Sequence, residues 1–274
     1  MAAQFAITSV VLSLASSAAL AQPSPAQPLW EIGALGIAVS QQAYPGAYEQ
    51  VSRALLVPTV VYRGKYLRAG EGGASIRAIK TPVFEFDIGF AGAFGSGNRD
   101  IAIRRGMSRL GSMVEFGPRL KWNLAALGDG ARLRAEFPVR GVFDLSNSFD
   151  AKGIAFEPEL QYDVRNATGW SYSASVGALA GTRRLNQTFY GVAPIHANAL
   201  RPAYAASGGL IALRLGAGIS RALSPDWRLF LFGRIDDVHL GANQDSPLVQ
   251  RKTGGSLGFG LAYTLTRSAT TAHD

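Results

Sequence analysis

Charged residues at alternate positions are the most chemically suggestive feature of this chain. Glu85 and Asp87, Glu115, Arg119 and Lys121, then Arg132, Arg134 and Glu136 each sit two or four residues apart. Glu157, Glu159, Asp163 and Arg165, then Arg214, Arg228, Arg234 and Asp236, continue the pattern. A spacing of two puts such side chains on one face of a strand. Neighbouring strands could pair them across the sheet. Two uses follow: a salt-bridged interior that fills and stiffens a narrow tube, or a basic-biased lining for anionic solutes.

Other chemistry finds less support. Glu157-Pro-Glu159 offers two carboxylates on one face, but Arg-rich neighbours make ion pairing their default use rather than acid/base work. His196, His239 and His273 are scattered. His239 has Asp236 and Asp237 near it, but no matching Ser nucleophile can be identified. No His/Asp/Glu cluster has metal-ligand spacing. Gly95-Ser-Gly97 is not followed by a helix that would complete a phosphate cradle. The chain has no Cys, so it can have neither a disulfide framework nor a thiolate site. The expectation is a protein without enzymatic activity, cofactor or metal.

The elements that must position these charges are strands. In Val114–Leu124 the residues Val114, Phe116, Pro118, Leu120, Trp122 and Leu124 alternate with Glu115, Gly117, Arg119, Lys121 and Asn123. The same dyad recurs along most of the 274 residues, too often for one small core. Strands are predicted at 30–40, 54–62, 65–69, 74–79, 83–94, 114–124, 131–140, 154–165, 169–181, 207–221, 227–239 and 253–266. The connections alternate between long (41–53, 95–110, 142–153, 182–206, 240–252) and short (63–64, 80–82, 125–129, 166–168, 222–226); only Glu71-Gly-Gly73 breaks the rule, and counting it as an outer turn gives twelve strands. That alternation is the signature of an outer-membrane barrel with long outer loops and tight periplasmic turns. The predicted fold is all-β: a closed antiparallel transmembrane barrel of about 12 strands, apolar outside and charged inside. Strands 65–69 and 74–79 fall short of the roughly 9–11 residues a spanning strand needs. Pro118, Pro138 and Pro158 lie inside strands, and are read as bulges or strand ends near the membrane boundary. The Gly-rich inner faces of the last three strands mark where something packs closely inside, or where the sheet bends.

Residues 1–21 read as a cleaved signal peptide, uncharged and ending on Ala19-Leu-Ala21. Residues 22–28 (QPSPAQP) read as a flexible spacer, 29–266 as the barrel and 267–274 as a tail. No later stretch is long and apolar enough for a helical span. Arg supplies 22 of the 27 basic residues behind a net charge of +8. These residues are dispersed along strands rather than clustered, which argues against nucleic-acid binding. Trp30, Trp122, Trp170 and Trp227 suit an interfacial aromatic belt. Arg183, Arg184 and Arg201 in loop 182–206 are placed to meet phosphates of lipid and lipopolysaccharide in the outer leaflet.

Several short motifs, in this order, carry a family likeness. They are Ala43-Tyr-Pro-Gly46, Leu56-Val-Pro58, Tyr62-Arg-Gly64 with Leu67-Arg68, and Glu115-Phe-Gly-Pro118. Then come Tyr190-Gly-Val192, Arg201-Pro-Ala-Tyr204, Gly208-Gly209, Trp227-Arg-Leu229, Ser246-Pro-Leu-Val249 and Gly260-Leu-Ala-Tyr263. Together they resemble the MipA/OmpV family (MltA-interacting protein) of outer-membrane proteins. The resemblance implies a cell outer-membrane location and, more loosely, a scaffold that brings a lytic transglycosylase together with a peptidoglycan synthase. Members of that family usually stop on an aromatic residue, whereas this chain runs on from Thr266 to Asp274. A small-solute, anion-biased channel and an exported soluble β-sandwich binder stand as alternatives.

Overall fold

A computed structural model describes residues 27–70, 73–93, 101–128, 130–166 and 168–272. The predicted signal peptide, most of the spacer, Gly95-Ser-Gly97 and His273 lie outside the described residues. The strands are β1 (Trp30–Gln42), β2 (Gln50–Arg63), β3 (Leu67–Gly70), β4 (Gly73–Lys80), β5 (Phe84–Ala93), β6 (Met113–Ala126) and β7 (Ala131–Asp144). They continue as β8 (Asp150–Phe156), β9 (Glu159–Arg165), β10 (Trp170–Gly181), β11 (Gly209–Ala222), β12 (Trp227–Asp237) and β13 (Thr253–Arg267). One helix, α1 (Arg183–Tyr190), lies between β10 and β11.

Every strand pairs antiparallel with its neighbours, and β13 pairs back onto β1 from Glu31↔Arg267 to Ser40↔Leu257. The sheet therefore closes. β8 and β9 both lie between β7 and β10 and act as two halves of one stave, so the barrel has twelve staves. Among the described residues no helix is long and apolar enough to cross a membrane. The outward residues form the lipid face: Phe90, Phe116, Trp122, Leu160, Val176, Leu215, Leu231 and Phe259 are all exposed. Their partners in the dyad point into the lumen and are mostly covered.

Pro118 and Pro138 lie inside β6 and β7, and Pro158 lies in the break between β8 and β9, all three in mid-stave rather than near the membrane boundary. Pro118 falls where the β6–β7 ladder skips Gly117 and Pro118, between the pairs Phe116↔Gly141 and Arg119↔Pro138. Pro158 separates β8 from β9. Their carbonyls keep the sheet joined: Glu157 N–H donates to Pro138 O (3.2 Å) and Ala178 N–H to Pro158 O (3.0 Å). The missing N–H groups thus fall where the ladder is already interrupted.

All four Trp residues lie toward the end that carries the termini and short turns, where the guanidinium of Arg221 covers Trp170 (4.9 Å) and Trp227 packs on Tyr263 (4.5 Å). Such amphipathic rings suit a membrane–water boundary. The residues after β13 turn back beside the start of β1, with Leu29 N–H donating to Thr270 O and Ala272 N–H to Gln27 O.

One sector of the lumen departs from the ionic expectation. Ile37, Val39 and Phe232 are buried together, with Leu35, Leu55 and Phe230 packed against them. The glycines of β13 make room for this. Cβ atoms at Gly258 and Gly260 would strike the rings of Phe232 and Phe230. Those rings lie flat across β13, which fills the barrel beside β1 with hydrocarbon instead of ion pairs. Gly258→Val should therefore clash with Phe232 and cost about 1–3 kcal/mol, as overpacking does. The urea midpoint of the refolded protein in detergent would fall, and adding Phe232→Ala should recover much of the loss.

Candidate functional site

Across β4 to β9 the inward charges form a continuous ladder. Arg119 grips Asp87 with two parallel bonds, Nη2–Oδ2 at 2.7 Å and Nε–Oδ1 at 3.0 Å. Lys121 reaches both Glu85 (2.8 Å) and Asp87 (3.0 Å), and Arg77 closes on Glu85 at 2.9 Å. Arg119 continues to Glu136 (3.6 Å), Glu136 to Arg134 (3.1 Å), and Arg134 to Asp163 (3.4 Å) and the amide oxygen of Gln161 (2.6 Å). The register explains the contacts, since Glu85↔Lys121, Asp87↔Arg119 and Lys121↔Glu136 stand directly opposite each other.

A second ladder lies nearer the long loops. Arg140 joins Glu115 (3.6 Å) to Glu157 (3.2 Å). Glu157 pairs with Arg214, Arg214 with Asp236 (2.9 Å), and Asp236 with Arg234 (3.0 Å). This ladder crosses β10 without using a side chain from it. Gly177 is the β10 residue opposite both Glu159 and Arg214, and its bare backbone lets Arg214 reach Glu157. A Cβ there would press on Pro158 O and Glu159.

The remaining sequence-selected residues sit around these ladders. Arg132 stands opposite Asp163. Glu159 takes a hydrogen bond from Ser175 and has no ion pair among the described residues. Arg165 and Arg228 lie near the ends of their strands at the short-turn side. His239 is exposed and bonded through Nδ1 to Asp237 (2.9 Å), which also accepts the Thr253 hydroxyl (2.8 Å). The two ladders hold seven cations and seven anions, so the whole excess of +8 lies outside them.

The long loops build a cap that sequence periodicity did not reveal. Tyr44, Ile101, Leu110, Tyr190, Val192, Val238 and Leu248 come from four connections and bury one another. The Tyr44 hydroxyl donates to Leu248 O (2.7 Å), Tyr190 to Pro45 O (2.8 Å) and Ser246 to Tyr190 O (2.7 Å). Burial pushes both phenols well above the usual tyrosine range, so they remain protonated donors. Burial also lowers the Arg104 guanidinium, which spends its donors on the carbonyls of Phe189 and Thr188. The same cluster takes in Ile211 and Ala212 of β11, so the cap rests on the barrel wall beside Arg214.

Arg201 is not available to outer-leaflet phosphates. It is buried and donates to the carbonyls of His196, Ile103 and Arg105. Five fixed donors make Arg suited to tying separate backbone segments together. Arg184 is exposed and paired with Asp150 at 3.0 Å.

A closed sheet with a greasy exterior and a charge-paired interior defines a β-barrel of the bacterial outer membrane. The family model described as MltA-interacting protein MipA matches residues 33–265, and the chain belongs to that family. No curated protein matches it. Among solved structures it is similar to the COG4313 outer membrane channel from Pseudomonas putida F1, with 9% identity, a TM-score of 0.50, and coverage of 90% of this chain and 100% of that one. It is also similar to the NanC porin, with 9% identity, a TM-score of 0.42, and coverage of 85% and 100%. At such identity the likeness to the first shows the barrel fold alone.

Two outcomes follow. Asp87 is fully buried beneath two cations. Asp87→Ala should cost about 3–5 kcal/mol by stranding Arg119 and Lys121, read as a lower urea midpoint. Arg201→Ala should free loop 182–208 from loop 101–112, and external protease should then cut the cap several-fold faster while the barrel stays intact.

Proposed function

We propose that the protein is a non-enzymatic, non-conducting outer-membrane scaffold. In this reading the barrel is an anchor, and its periplasmic turns present the working surface. The observation that carries it is the cancellation of charge within the two lumen ladders. A conducting, anion-selective path needs unpaired cations along its length, whereas seven cations here are engaged by seven anions beneath a hydrophobic cap. The family name describes interaction with MltA. By that likeness the partners are a lytic transglycosylase and, through it, a peptidoglycan synthase. Lipid and lipopolysaccharide would surround the wall and outer rim.

A second reading is a small-solute, anion-biased channel; the COG4313 barrel of similar fold is described as an outer membrane channel. Two measurements separate the readings. Cross-linking in intact envelopes from a photoreactive group at the exposed turn residue Lys65, followed by pull-down, should retrieve a murein hydrolase. Reconstitution in a planar bilayer should give no steady single-channel steps. Retrieval of no murein enzyme removes the scaffold role, and stable anion-selective steps install the channel in its place.

A further inference from the structure

The basic residues are dispersed along the sequence, but the register gathers six of them at one level. Arg63 ends β2, Arg68 is the second residue of β3 and Lys80 ends β4. Arg132 is the second residue of β7, Arg165 ends β9 and Arg228 is the second residue of β12. All six lie at the short-turn end, and all six face inward. Arg132, Arg165 and Arg228 share their faces with Arg134, Asp163 and Arg234 of the ladders. Lys80 stands opposite Glu85, Arg68 opposite the buried Ser75, and Arg63 reaches Glu31 at 2.6 Å. A ring of cations on six staves thus surrounds the periplasmic mouth of the lumen.

Little negative charge answers them. Among the described residues, Glu31 is the single inward anion at this level outside the ladders. Glu85 and Asp163 adjoin the ring, but they belong to the lower ladder, where charges cancel. Contacts within the ring leave the sum unchanged, an excess of five positive charges. The other inward residues at this level, Asn123, Ser171, Ser220 and Thr264, are neutral. Arg63 stands directly opposite Arg68, and like charges so placed are destabilising by themselves.

The ring is shallow. One inward step higher stand Arg77, Lys121 and Arg134, each already joined to a carboxylate. The positive field therefore acts over the first two residues of the wall, about 7 Å. At the far end the cap closes the lumen, so the periplasm is the open approach to the ring. Lys80 and Arg165 are exposed there, and the other four cations are half-buried. Phospholipid headgroups meet the opposite side of the wall, where Trp170 and Trp227 lie. A blocked, shallow ring suits a polymer lying across the mouth, not a solute passing through it.

We propose that the periplasmic mouth of the barrel binds peptidoglycan directly, through the free carboxylates of its stem peptides. Five of the six cations are Arg, whose planar fork takes a carboxylate by two parallel hydrogen bonds. Peptidoglycan is the polymer that lies beneath an outer membrane, and its stem peptides carry their negative charge as carboxylates. The ring therefore matches it in sign, in chemistry and in position. This goes beyond the scaffold reading, because the barrel itself holds the wall polymer whether or not an enzyme is bound.

The test mixes the purified full-length protein, in non-ionic detergent, with peptidoglycan sacculi stripped of protein. It should co-sediment with them at low ionic strength, and several-fold less at about 0.3 M salt, where charges are screened. Sacculi whose carboxylates have been amidated should not bind it. The double variant Lys80→Gln/Arg165→Gln should bind several-fold more weakly. Arg105→Gln/Arg183→Gln, which removes as much charge from exposed residues of the outer loops, should bind as the parent does. Heat-modifiable migration on a detergent gel checks that each variant is folded, and the amidation arm needs no variant. Absence of co-sedimentation, undiminished binding to amidated sacculi, or equal loss in the two double variants overturns the proposal. Binding to soluble polyglutamate but not to sacculi also overturns it, and assigns the mouth to an acidic protein. The sacculi carry no enzyme, so these results stand apart from whatever cross-linking at Lys65 retrieves.

Discussion

Hydrocarbon offers no hydrogen bonds, and the rest of this structure follows from that. A sheet immersed in it must pair its own edges, and here β13 returns to β1. Closure then creates an interior, and twelve staves enclose a lumen that side chains can fill. Filling it with long charged residues works only if each charge finds its opposite, because a stranded charge in a narrow tube costs far more than a bond returns. The ladders meet that condition largely by register: Lys121 stands across from Glu85 and Glu136, Arg119 from Asp87, Arg132 from Asp163 and Arg214 from Asp236.

Small residues decide where the ladders and the apolar sector run. Gly177 removes a side chain from β10 so that Arg214 can reach across to Glu157. Gly258 and Gly260 remove side chains from β13 so that two phenylalanine rings can lie down. The same device passes a salt bridge over one strand and an aromatic contact over another. The loops follow a different logic. They are polar-rich segments that order themselves around Tyr44 and Tyr190, and their backbone carbonyls are satisfied by Arg104 and Arg201.

Much of this was legible in the sequence because period-two alternation is a local property. The outward Phe116, Leu231 and Phe259, the strand count and the alternation of long and short connections all follow from it. The inner phenylalanines were not legible. Phe230 and Phe232 share a face with Arg228 and Arg234, and a rule that assigns apolar residues to lipid cannot place them. The glycines opposite them were the available signal. Nor could periodicity place Arg201 beneath the cap, since loop burial depends on contacts between segments far apart in the chain. The prolines were found in mid-stave because what matters is whether the neighbouring strand asks for the missing N–H, not how close the strand end lies.

The cap has one further consequence. Its four connections share a single hydrophobic cluster and exchange hydrogen bonds through Tyr44, Tyr190, Arg104 and Arg201. The outer face therefore behaves as one solid body rather than four tethered strings. Sequence drift in any one segment is constrained by the other three, so this surface can diversify only through matched changes across them.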